Sequence, residues 1–189
     1  MQQRHAILIA VLLLAAGTTT YFAYRPDGMA EKPSPTLAST TSSVPKAPPL
    51  AAPRTPPLGY KEFRNEFYRF QILYPQDLSV TLTKEKGSAA TITFDGPGDQ
   101  NDFEMFVVPY GRPQITEERF KLDQPSGVMN EPRDIEIGGV AARFFYGQNA
   151  AMGDTAEIWF INKGFLYEVV TYKNNGHWLL REMQGWMPL

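Results

Sequence analysis

Alternation with period two recurs along the C-terminal two thirds of the chain. In YRFQILYP, Tyr68, Phe70, Ile72 and Tyr74 fall on one face and Pro75 closes the run, the pattern of a half-buried strand. LSVTLTKE and AATITFDG follow. Val80 and Leu82, then Ala90, Ile92 and Phe94, alternate with threonines and a serine, which predicts a hairpin with one polar face. DFEMFVVPY differs, because Phe103, Met105 and Val107 point one way and Phe106 and Val108 the other, so this strand needs cover on both sides. DIEIGGVAARFFYG reads as two strand arms around Gly138-Gly139. EIWFINKGFLYEVVTYK repeats the device around Asn162-Lys163-Gly164, with Phe165, Tyr167 and Val169 opposed to Leu166 and Val170.

Two helices interrupt the strands. Thr116 is an N-cap candidate followed by Glu117 and Glu118, with Ile115 and Phe120 at the positions of a hydrophobic staple, and Pro125 ends the helix. At the end of the chain, Leu179, Met183 and Trp186 stand at i, i+4 and i+7 beside Leu180 and Met187, which predicts a helix capped near Asn175 with a wide apolar stripe. The expectation is an α+β domain over residues 60–189: a mostly antiparallel, hairpin-connected sheet with layers on both faces.

The first 59 residues follow other rules. Ala6–Tyr24 contains no charge over nineteen positions, enough for a helix to cross most of a bilayer, with Arg4 before it, Arg25 after it and Tyr21, Phe22 and Tyr24 at its end. This predicts a signal anchor (residues 1–25, span 6–24) with a cytoplasmic N-terminus. The competing reading is a cleaved signal peptide, since the strongly apolar part is short and Ala15-Ala16-Gly17 suits cleavage. Both export the rest, giving either a single-pass membrane protein with its C-terminal domain outside or a secreted or periplasmic one. Residues 26–59 are rich in Pro, Ser, Thr and Ala, and from Pro26 to Pro57 only Met29, Leu37, Val44 and Leu50 are sizeable apolar side chains, so the segment reads as a disordered linker.

Charge and composition narrow the function. Residues 60–189 carry 13 basic and 18 acidic side chains, and the whole chain has a net charge of −2, which argues against nucleic-acid binding. No cysteine is present, which removes disulfides and thiol chemistry. His177 is the only histidine of the domain and stands at the start of the last helix, a place for an exposed or capping residue. Ser79, Ser88 and Ser126 lack a Gly-x-Ser-x-Gly context, and neither a phosphate-binding loop nor a His-Glu-x-x-His motif occurs. Asp95, Asp99, Asp102 and Glu104 gather four carboxylates within ten residues and are weak metal candidates without the spacing of an EF-hand. Glu104, Glu136 and Glu157 alternate outward on their strands, which predicts solvation. Glu117 and Lys121 at i and i+4 can pair on a solvated helix face. Phe144-Phe145-Tyr146 and Trp159-Phe160 serve core packing or line a ligand pocket.

The opening YRFQILYPQDL resembles the aromatic-Gly-Phe-x-Phe-x-Tyr-Pro-x-x-Trp signature of PsbP-like domains, and the resemblance continues through the late hairpins and closing helix, from Phe63 to the end. Arg69 stands where that family has glycine and Leu78 where it has tryptophan. The resemblance implies an α/β/α sandwich around an antiparallel sheet and roles in binding or assembly. The sequence therefore predicts a membrane-tethered, extracytoplasmic interaction domain with a protein partner, no cofactor and no catalytic residue. The alternative is an exported enzyme or small-ligand binder that uses an aromatic-lined pocket with carboxylates.

Overall fold

The structure, a computed structural model, describes residues 55–97 and 101–189. The expected span at 6–24 and nearly all of the linker lie outside the described residues. Among the described residues no helix is long and apolar enough to cross a membrane.

Ten strands and two α-helices follow in the order β1 (Tyr60–Asn65), β2 (Phe70–Pro75), β3 (Ser79–Lys84), β4 (Ala90–Asp95), β5 (Phe103–Pro109), α1 (Glu117–Asp123), β6 (Asn130–Ile137), β7 (Val140–Asn149), β8 (Gly153–Asn162), β9 (Phe165–Tyr172), α2 (Gly176–Glu182) and β10 (Trp186–Pro188). Seven strands form one antiparallel sheet in the order β3-β4-β5-β9-β8-β7-β6, and β1-β2-β10 form a second, small one. The small sheet and α2 cover one face of the large sheet. Between them lies the core, with Phe70 and Ile72 of β2, Met105 of β5, Phe144 of β7, Ile158 of β8, Tyr167 of β9, Leu179 of α2 and Trp186 of β10.

Both glycine-bearing hairpins form as the sequence predicts. Gly138 and Gly139 turn with φ of 55° and 81°, and Lys163-Gly164 with 47° and 85°, the left-handed pair that a two-residue hairpin between twisted strands demands. The chain end differs from expectation. α2 stops at Glu182, one 3₁₀ turn follows over Met183–Gly185, and Trp186 belongs to a strand paired with Ile72 of β2. Apolar residues at helical spacing thus serve a helix and then a strand against the same core. Asn175 precedes α2 without a side-chain capping bond. The outer layer on this face combines a three-stranded sheet with α2.

On the other face lies α1, and topology puts it there. The chain leaves β5 beside β9 and must restart at β6, the far edge, so the connection crosses over β9, β8 and β7. That crossing carries α1.

Candidate functional site

α1 begins as its residues dictate. Thr116 Oγ1 accepts the Arg119 N–H at 3.2 Å, and Lys121 reaches back to Glu117 at 2.6 Å on the solvated side. The preceding loop is braced by Tyr110, whose hydroxyl accepts the Thr116 N–H at 3.1 Å and donates to the Gln114 carbonyl at 3.0 Å. None of the seven residues of α1 is buried. The helix is held by side chains reaching down to the sheet.

Phe120 makes the apolar contact, its ring 5.8 Å from that of Phe145 and 5.3 Å from that of Trp159. Arg119 pairs with Asp123 and donates from Nη2 to Glu168 at 3.2 Å. Gln124, the C-cap residue, donates from Nε2 to Oε1 of Glu157, which also accepts from Thr155 Oγ1 at 2.7 Å. Oε2 of Glu157 accepts the Trp159 indole N–H at 2.9 Å. Gly147 makes room for this cluster, because a Cβ there would collide with Glu157, Gln124 and Thr155. Four groups from two strands and a helix end therefore close around one carboxylate.

These positions correct the expectation of solvated strand acids. Glu136 is exposed, whereas Glu104 and Glu157 are 7% and 4% accessible. Alternation told which face they occupy, but that face is covered. Burial raises the Glu157 carboxyl above its ordinary range, against the pull of its three hydrogen bonds. Burial and the charge of Asp95 push Glu104 up to about 7. Glu168 lies well above the ordinary range through burial and the Asp123 charge, with Arg119 pulling the other way, and burial raises Asp123 as well.

Beside α1 the same face opens into a cleft of about 750 Å³. Ile115, Thr116, Glu117 and Phe120 form one wall, Val140, Ala141 and Arg143 of β7 with Asp134 of β6 the other, and Phe145, Trp159 and Ile161 the floor. Of the aromatic clusters singled out in the sequence, Phe145, Trp159 and Phe160 border this cleft, while Phe144 packs with Tyr146 on the core side. Both acidic groups of the cleft have basic partners: Glu117 has Lys121, and Asp134 accepts from Arg143 Nη2 at 2.7 Å and Nε at 3.0 Å. No histidine, serine, lysine or cysteine lines it.

The remaining sequence candidates lie elsewhere. Asp102 Oδ1 accepts the Gly96 N–H at 2.6 Å, Asp95 ends β4, and Asp99 lies outside the described residues. Among the described residues no group of three histidine, cysteine or acidic side chains is placed to hold a metal ion. His177 is exposed in α2. Ser79 Oγ donates to the Asp95 carbonyl and Ser126 Oγ to Gln124. Ser88 is exposed. Glu168 of the sheet, and Asp123 and Gln124 at the end of α1, do not stand out in the sequence as the groups that fasten the helix. One signal was present: Glu168 lies between Leu166 and Val170 on the second face of a strand that reads as covered twice.

No protein-family model and no curated protein sequence matches the chain. Among solved structures, it is similar to the solution structure of cyanobacterial PsbP (CyanoP) from Synechocystis, with 9% identity, a TM-score of 0.48, and coverage of 75% of this chain and 99% of that one.

Proposed function

We propose that the domain is a non-catalytic interaction module that seats a protein partner in the cleft between α1 and the β6–β7 hairpin. The observation that carries this reading is the pairing of the cleft's charged groups. Glu117 is tied to Lys121 and Asp134 to Arg143, so the apolar walls are flanked by side chains that already have counter-ions, and no serine, cysteine, lysine or imidazole stands among them. A surface of apolar centre and compensated polar rim fits association better than proton transfer. In this reading the domain belongs with the PsbP-like domains on the strength of its YRFQILYP opening. Residues 6–24 tether it to the outer side of a membrane, and the linker raises its effective concentration near a partner there.

The cleft's volume falls within the range of small-ligand pockets, roughly 300–1,000 Å³, which keeps a second reading as an apolar-ligand binder. A photo-crosslinking residue placed at Ala141, in the cleft, and another at Thr81, on the opposite edge strand, separate the two. A discrete protein adduct from position 141 alone, in intact cells, supports the interaction module. Equal adducts from both positions, or none from either, overturn it. Mass spectrometry of the mature N-terminus tests the tether, since a chain starting near Thr18 removes the anchor.

A further inference from the structure

We infer that α1 is a proton-controlled wall of the cleft, docked while Glu168 beneath it holds a proton and released when that proton is lost. The inference rests on the reading of the cleft as the binding site, because Thr116, Glu117 and Phe120 form that wall.

No residue of α1 is buried as a whole; the helix stands between exposed connections at Gly111–Gln114 and Pro125–Gly127, and is attached through Phe120, Arg119 and Gln124. Two of these three attachments end on carboxylates of the sheet, Glu168 and Glu157. The charged groups around Glu168 are few. From α1 come Arg119 and Asp123, whose carboxylate is 4% accessible. β5 and β8 carry Phe106 and Trp159 directly opposite it, with Glu104 and Glu157 one step along on the same face. One guanidinium thus faces two carboxyl groups, those of Asp123 and Glu168. With both ionised, Arg119 compensates only one of them, and burial makes the charged forms costly.

Lifting α1 gives Glu168 water and takes Arg119 and Asp123 away. In the open state its carboxyl returns toward an ordinary value, whereas in the docked state burial and Asp123 hold it well above. The docked state therefore binds one proton more. Its stability is fully present below the open-state value and declines as pH rises toward the docked-state value, so opening increases about tenfold per pH unit within that window. The cleft has its wall in place at the acid end and loses it at the alkaline end.

Hydrogen exchange read by mass spectrometry on the full chain tests this without any ligand. Exchange times are scaled for the intrinsic pH dependence of amide exchange. Segment 113–124 is expected to lose protection by about tenfold or more between pH 6 and pH 9, while β8 and β9 keep theirs. Glu168→Gln, which stays uncharged, is expected to hold segment 113–124 to within about twofold over the same range, and Glu104→Gln to leave the response intact. Should Glu168→Gln not fold, Asp123→Asn substitutes for it: burial still raises Glu168, but without the facing carboxylate the loss of protection is expected to move to lower pH. Unchanged protection in the wild type, an undiminished response in Glu168→Gln, or an unshifted one in Asp123→Asn overturns the inference. Crosslinking at Ala141 is read separately. Adducts with flat exchange sink the moving wall alone, and responsive exchange without adducts sinks the binding reading alone.

Discussion

Trp186 stands opposite Ile72 in the ladder between β10 and β2, with its ring 4.8 Å from Phe160 and 5.6 Å from Tyr167 in edge contacts. It joins the small sheet to the large one through the core. The side chain is fully buried, and its indole nitrogen has no hydrogen-bond partner. Trp186→Ala is expected to cost about 3–5 kcal/mol by opening a cavity at the centre of the aromatic cluster. Trp186→Phe is expected to cost much less, because it removes an unpaired donor together with part of the ring. Denaturant unfolding of both variants checks this, and equal losses would show that the indole nitrogen is satisfied in solution.

Glu104 gives the domain a stability that depends on pH. Its carboxyl is pushed up to about 7 in the folded state, above the 4.5 of an ordinary glutamate, first by burial and then by Asp95. The folded state therefore holds the proton more tightly than the unfolded one. Stability from this group is full below about 4.5 and falls as pH rises through about 7. At pH 8, Glu104→Gln is expected to be more stable than the wild type by about 1–3 kcal/mol, with the advantage gone near pH 4. Urea midpoints measured from pH 4 to pH 8 check the sign. A variant equally destabilised at both ends would place the carboxylate in water.

Residue patterns were readable wherever the local signal and the tertiary outcome agree. Thr116 caps α1 as its side chain dictates, the Gly138-Gly139 and Lys163-Gly164 turns need positive φ, and the doubly apolar β5, β8 and β9 lie inside two layers. Other features depend on contacts distant in sequence. β1 was not foreseen, since YKEFRN shows only a weak alternation and is ordered by pairing with β2. Trp186 reads as helical because i, i+4 and i+7 positions look alike whether or not the chain changes conformation after Met183. Glu104 and Glu157 look solvated in the sequence because period two separates faces and says nothing of what covers them. The cleft's aromatic floor is legible in Phe145 and Trp159, whereas Phe120 reads from sequence as a staple of α1 and not as a wall of the cleft.

Arg69 adopts φ of 60°, in the left-handed region that favours glycine, at the position where the PsbP-like signature has glycine. Its carbonyl accepts the Leu189 N–H at 3.0 Å, a bond that needs no side chain. A left-handed non-glycine residue carries roughly 1–2 kcal/mol of strain, and glycine adds back part of this through the freedom of the unfolded chain. Arg69→Gly is thus expected to be neutral to about 1 kcal/mol stabilising, and Arg69→Val, branched at Cβ, about 1 kcal/mol destabilising. Thermal melts of the two variants decide. A clear loss in Arg69→Gly would mean that the guanidinium makes a contact worth more than the strain.

Gly147 and Glu157 supply the sharpest test of how α1 is fastened. Gly147 lies on β7 with no left-handed φ, so alanine there meets no backbone strain and its whole effect comes from the room it takes. That room is occupied by Glu157 Oε1 and Gln124 Nε2, both nearer than a Cβ tolerates, with Thr155 Oγ1 in tight contact behind them. Gly147→Ala must displace the carboxylate and, with it, the bond from Gln124 that fixes the C-terminal end of α1. A cost of about 1–3 kcal/mol is expected, typical of overpacking a filled site. Segment 117–124 is expected to exchange faster than in the wild type, and the Trp159 indole, which loses its acceptor at 2.9 Å, to change its environment. Gln124→Ala breaks the same fastening from the helix side, so the two substitutions are expected to be non-additive, the double variant losing clearly less than the sum of the singles. Strict additivity would mean that Gly147 and Gln124 act on separate parts of the fold, and that the Glu157 cluster does not hold the helix.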